Sequence, residues 1–280
     1  MKHIETSGTM PLSAFRKVSI GNWRHPRDPQ TYAEVELNVE PALQFLKQQR
    51  SGRPLSLTHY IAKILGDCFA RQPELNSVLL RGKLHQRKEI SAFITTLIKQ
   101  KGSVDLAGFS IQNIDQISLE EIARICEEEV RIQRRGEDPE IKALQKTFKS
   151  IPVLLLKPFF HLLDFVKYTL NFSTQSPALP RDRFGTVIIT NIGALGLQNA
   201  FVPLTPCART PLLVAAGKPF EGVGVVNGEA SVMQLIKINV TFDHRYIDGY
   251  HGAKIVRRFS KIFANPEQYA ALFAGSDGAG

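Results

Sequence analysis

"VMQLIKINVTFDHRYIDGYHGAKIVRRFSKIFANP", residues 232–266, changes its period in the middle. The even positions Ile236, Ile238, Val240, Phe242 and His244 share one face of a regular strand. Beyond Gly249 the spacing turns helical: Ile255, Phe259, Ile262 and Phe263 fall on one side, and Pro266 stops the pattern. A strand, a tight polar turn and a helix are therefore predicted. His244 stands at the C-terminal end of the strand, where open α/β sheets tend to place ligands. On spacing alone the trio Asp243, His244 and Asp248 has two readings. It is a working constellation, with His244 as a general base worth roughly a hundred- to ten-thousand-fold. Otherwise it is a polar turn whose aspartates cap the next helix.

Similar patterning marks the rest of the chain. "TYAEVELNVEPALQFLKQQ" alternates strictly from Tyr32 to Val39 and enters a helix at Pro41. In "SLTHYIAKILGDCFARQPELN", Leu57, Ile61, Ile64, Leu65, Cys68 and Phe69 mark a helical face that Pro73 ends. "SVLLRGKLHQRKEISAFITTLI" reads as two strands joined by a polar connection over 82–88. In "SLEEIARICEEEVRIQRRG", Ser118 and Glu121 suit a capping box. "RFGTVIITNIGALG" is a buried strand running into a glycine turn, and "PLLVAAGKP" a further strand. Mixed strands and helices without βαβ alternation predict an α/β two-layer sandwich with a mixed β-sheet.

Bulk properties exclude more than they assign. The chain has 280 residues, 43% of them hydrophobic, and a formal charge of +9. It can bury a full core and suits an anionic partner. No zinc-finger pattern or aromatic-interleaved basic run points to nucleic acid. Cys68, Cys126 and Cys207 lack disulfide or redox spacing. His25, His59, His85 and His161 lack ligand spacing, so no metal site is predicted. The opening residues have no apolar h-region, and no apolar run is long enough to span a bilayer, which gives a cytoplasmic expectation.

"DHRYIDG", residues 243–249, resembles the D-H-R-x-x-D-G signature of the dihydrolipoamide acyltransferases of 2-oxo-acid dehydrogenase complexes. Three further stretches resemble that catalytic domain in order: "PLSAFRK" at 11–17, the helix ending in "PELN" at 73–76, and "GTVIITNIGALG" at 185–196. "DGYHGAK" is also similar to chloramphenicol acetyltransferase, which shares the fold. The resemblance implies a chloramphenicol acetyltransferase-like fold and an acyl transfer from coenzyme A by direct attack. His244 would take the proton from a thiol or hydroxyl acceptor. Thr190 stands where the family has a serine whose hydroxyl bonds the tetrahedral oxyanion; such a donor is worth about 2.7–4 kcal/mol. Asp248 would be structural, held by an arginine. The resemblance also implies a homotrimer with His244 of one copy facing Thr190 of the next. Asn191 and Gly193 are expected to shape the turn, and His251 to be a surface helix residue.

Two departures qualify the likeness. The catalytic resemblance begins at Pro11, after an N-terminal extension of residues 1–10, which leaves no room for a lipoyl domain. A lipoyl group would come only in trans, on another protein. Residues 111–183 fit the family poorly and read as a divergent helical insertion within a catalytic domain of 11–270; a disordered tail is expected at 271–280. Inside the insertion, Lys157, His161, Asp164 and Lys167 form a polar stripe on an otherwise apolar helix. That helix is either buried against the domain or the trimer interface, or makes a peripheral membrane or acyl-chain contact through 151–172. The competing functions are a chloramphenicol-type enzyme acting on a hydroxyl and a non-catalytic trimeric scaffold. The glycine-rich tail favours a free trimer over a larger core.

Overall fold

The strand foreseen before His244 is β9, Glu229–Asp243, and the sheet is organised around it. In this computed structural model, which describes residues 13–14, 17–18, 28–49, 52–100, 103–172, 182–226 and 228–275, β9 pairs antiparallel with β1, Gln30–Asn38. On its other side the first half pairs with β8, Phe220–Val226, and the second half with β7, Leu212–Ala216. The sheet continues in parallel through β6, Val187–Asn191, and β4, Ala92–Gln100, and ends at antiparallel β5, Ser103–Ile111. The order β1-β9-β7-β6-β4-β5, with β8 beside β9, makes a mixed seven-stranded sheet. Residues 1–10, most of the 11–17 motif and residues 276–280 lie outside the described residues.

Helices α1 (Glu40–Gln48), α2 (Leu57–Ala70), α3 (Leu119–Arg134), α6 (Gly249–Ala264) and α7 (Ala270–Ala274) contribute to the core on one sheet face. Strand alternation sends Val187, Ile189, Val214, Ile238 and Phe242 into that core. Ile188, Leu213 and Ala215 point the other way and are covered by Ile192, Leu204 and Ala208. α2 is apolar nearly all round and is buried from Tyr60 to Phe69, as such a helix must be. Lys63 lies inside it; its ammonium donates to the carbonyls of Asp115 (2.7 Å) and Ile117 (2.6 Å). Asp67, also buried, accepts from Arg258 at 2.7 Å. Among the described residues no helix is long and apolar enough to cross a membrane.

Several expectations need correction. The 82–88 connection contains a strand, β3 (Lys83–Gln86), which forms a hairpin with β2 (Ser77–Leu80). Ser118 does cap α3 by accepting from Glu121 N at 3.1 Å, but the Glu121 carboxylate turns to Arg124 (2.7 Å) instead of completing a box. The described start of the 271–280 tail is ordered. Phe273 of α7 packs against Phe45 and Tyr60, with centroids 4.9 and 5.0 Å away. The helix in the insertion, α5 (Val153–Asp164), follows α4 (Pro139–Ser150) and has no buried residue. It is not packed against the body of the chain in the way a core helix is.

Candidate active site

β9 stops at Asp243 because the next residues turn back on it. Tyr246 N and Ile247 N both donate to Asp243 O, at 2.9 and 3.1 Å. Tyr246 and Ile247 are buried and plug the turn, and Tyr246 Oη accepts from Leu79 N at 3.1 Å. His244 N donates to Pro29 O (2.9 Å), tying the loop to the start of β1. The imidazole is left exposed at the sheet's end. A rigid turn thus presents one histidine to solvent.

The two aspartates divide the work differently from expectation. Buried Asp243 takes the arginine: Arg245 Nε lies 3.0 Å and Nη2 2.5 Å from its carboxylate oxygens, and Arg245 N donates at 2.9 Å. A buried carboxylate needs such charge compensation more than an exposed one does. Exposed Asp248 instead caps α6, accepting from His251 N at 2.9 Å, with His251 Nδ1 2.8 Å away. The cap's N–H holds the Asp248 carboxyl below its ordinary value. Among the described residues the Asp248 carboxylate meets the helix terminus and His251 and no arginine. The half-buried His251 is its partner more than a free surface residue.

Thr190 lies near the end of β6, in a cleft of about 500 Å³ that also holds Thr58, His59, Thr95 and Asn191. Asn191 shapes the turn as expected, its Oδ1 accepting from Ala194 N at 3.1 Å, and Gly196 closes it at φ 85°. His59 was not foreseen as a site residue. Burial pushes its imidazole down to about 4, so it is neutral near pH 7. Its Nδ1 accepts from Ser56 N (3.3 Å), which leaves the proton on Nε2. The one sequence signal was the Ser56–His59 spacing of a capping pair.

Thr190 and His244 do not meet within one chain. Thr190 pairs with Ala215 and Ala215 with Asn239, so His244 lies two strands across and five residues along. At standard strand spacings that is on the order of 20 Å.

Residues 182–271 match the catalytic-domain family of the 2-oxoacid dehydrogenase acyltransferases. Over that segment the chain is similar to this family. It is 30% identical over 82 residues to the acetyltransferase component of the pyruvate dehydrogenase complex of Rhizobium meliloti, covering 29% of this chain and 18% of that protein. The chain thus matches only about a fifth of the length of that curated relative. Solved structures are similar over nearly all of the chain. The dihydrolipoamide acetyltransferase of Azotobacter vinelandii superposes with TM-score 0.63 at 16% identity, covering 95% of this chain and 94% of that one. A probable dihydrolipoamide acetyltransferase from Listeria monocytogenes gives 0.61 at 16% identity, covering 92% and 94%. The fold shared with these structures therefore extends beyond the matched segment.

The matched segment holds Thr190, His244 and Asp248 but neither His59 nor α4 and α5. α5 nevertheless reaches the His244 loop. Phe160, His161 and Asp164 form one wall of a cleft of about 590 Å³, whose floor includes Asp243 and Arg245. Arg209 fastens that wall: Nη2 lies 2.7 Å from Asp164 and Nη1 3.2 Å from Leu79 O, and the guanidinium sits 4.7 Å over Tyr168. Arg209 does so at φ 52°, a left-handed conformation uncommon for an arginine. Among the described residues no three His, Cys, Asp or Glu side chains are grouped to hold a metal.

Proposed function

We propose that this protein moves an acyl group between coenzyme A and a thiol acceptor of the dihydrolipoamide type. The observation that carries the reading is the placement of Thr190, which lines an open cleft, and His244, exposed at the end of β9, about 20 Å apart. One copy holds a base without an oxyanion donor at one end of the sheet and the donor without the base at the other. Two copies of a homotrimer, meeting end to end, complete the pair. In the Azotobacter vinelandii enzyme a serine, a histidine and an asparagine were investigated for their roles in the catalytic mechanism. Its histidine and asparagine stand four residues apart, as do His244 and Asp248.

The proposed step needs no acyl-enzyme. His244 accepts the proton of the acceptor thiol, and the sulfur attacks the thioester carbonyl carbon of acyl-coenzyme A. The carbonyl oxygen, now an oxyanion, takes a hydrogen bond from the Thr190 hydroxyl of the neighbouring copy. Collapse of this intermediate breaks the bond to the coenzyme A sulfur, which recovers the proton from His244. Coenzyme A is a substrate here, and a lipoyl group arrives in trans on a partner protein. The test is release of free coenzyme A from acetyl-, butyryl- and palmitoyl-coenzyme A, with and without dihydrolipoamide. Acceptor-dependent release that His244→Ala abolishes is the expected result. No release from any donor would sink the proposal and favour a scaffold.

A further inference from the structure

α5 leaves much of its apolar surface uncovered. A helix on a globular core normally turns its apolar stripe inward and its polar stripe to water. Here Leu156, Phe159 and Leu163 are only half-buried, and Asp164 is paired with Arg209 beside the cleft that His161 also lines. The turn that follows is pinned too, with Tyr168 Oη donating to Cys207 O (3.0 Å) and Arg81 Nε to Thr169 O (2.6 Å). Other apolar residues of the helix look outward. Leu154 is 87% exposed, Leu155 53%, Leu162 60% and Phe165 50%. Phe148 of α4 stacks on Phe160 of α5 with centroids 5.6 Å apart, so the two helices form one hairpin with Leu154 near its tip. An apolar patch of this size marks a contact surface.

Charge selects the occupant. Residues 139–172 contain five lysines (142, 146, 149, 157 and 167) and two carboxylates, Glu140 and Asp164. Both carboxylates already face arginines, Arg183 at 3.7 Å and Arg209 at 2.7 Å. Lys142 of α4 and Lys157 of α5 are exposed. We infer that α5 seats the protein on an anionic bilayer surface, its leucines and phenylalanines in the headgroup–acyl boundary and the lysines at the phosphates. This is the pattern of an interfacial helix. A second copy docked α5 to α5 fits the face less well, because it would bring two lysine-rich flanks together on molecules of formal charge +9. The inference rests on the surface alone and stands whether or not acyl transfer is found.

Flotation of the 280-residue chain with phosphatidylcholine vesicles, with and without phosphatidylglycerol, tests it. The chain floats with the anionic vesicles, and raising the salt weakens the association. Leu154→Asp with Leu155→Asp lowers partitioning at least about tenfold. Because both positions are exposed, the circular dichroism spectrum stays unchanged. Lys142→Glu with Lys157→Glu removes the preference for anionic vesicles. No flotation with either vesicle type overturns the inference, as does a double-aspartate variant that floats like wild type. Loss of an oligomer in that variant without lipid also overturns it and assigns the face to a second copy.

Discussion

Thr190 keeps the hydroxyl that an oxyanion donor needs and adds a methyl group that stiffens its rotamer. Thr190→Val preserves the shape and removes the hydroxyl. It is expected to lower kcat about a hundred- to a thousandfold with little change in KM, whereas Thr190→Ser stays active; steady-state release of coenzyme A distinguishes them. His59, in the same cleft, affects stability through pH. Its pKa falls from 6.5 in the unfolded chain to about 4 in the fold. Between those values the unfolded chain binds more protons, so stability is complete above pH 6.5 and declines as the pH drops towards 4. The loss is at most about 3 kcal/mol. Urea midpoints across that range should slope for wild type and flatten for His59→Gln. At this scale the sequence motif named His244, Thr190 and Asp248 as candidates. It could not tell that Arg245 would close on Asp243, because that choice depends on which carboxylate is buried. Nor could it find His59, whose neutrality comes from burial alone.

Among the elements, β9 and α6 were readable because one face of each meets the core and the period survives in the sequence. β8 was not. "FEGVGVV" places glycine at alternate positions, yet Gly222 and Gly224 are strand residues covered by neighbours from β9. A β-carbon on Gly222 would come within 2.5 Å of Leu235, and one on Gly224 within 2.6 Å of Met233. The β2–β3 hairpin was missed for a related reason. Its two-residue turn is Arg81-Gly82, with φ of 51° and 74°, and β3 is exposed throughout, so no apolar alternation reveals it. α2 carries the prediction for this scale. Lys63→Met leaves the carbonyls of Asp115 and Ile117 without their buried donor. Denaturant unfolding should show a loss of about 2–3 kcal/mol, with the chain before α3 loosened first.

For the whole molecule, the two half-sites make a prediction that no single chain can satisfy. Chains carrying His244→Ala and chains carrying Thr190→Val should each be nearly inactive alone. Co-expressed, they form mixed assemblies in which some interfaces pair an intact His244 with an intact Thr190, and coenzyme A release partly recovers. No recovery in assemblies shown by mass to be mixed would mean that the two residues do not serve one site. Architecture at this scale was legible in outline, since a mixed sheet with helices follows from the order of periods along the chain. The position of α5 was not, because its pattern suits a buried helix and an outward-facing one equally. The ion pair between Arg209 and Asp164, with the bonds from Tyr168 and Arg81 just beyond it, holds the helix in its orientation.

That α5 contributes no residue to the core also bears on how the chain can change over generations. Packing does not constrain Leu154, Leu155, Leu162 or Phe165, so their replacement by polar residues costs the fold almost nothing. Neutral drift would then erode the apolar face quickly and leave the polar anchor of Asp164 and Tyr168 in place. A hydrophobic surface that the fold does not need persists only under selection from outside the chain. Its retention among descendants of this sequence would be a record of that contact.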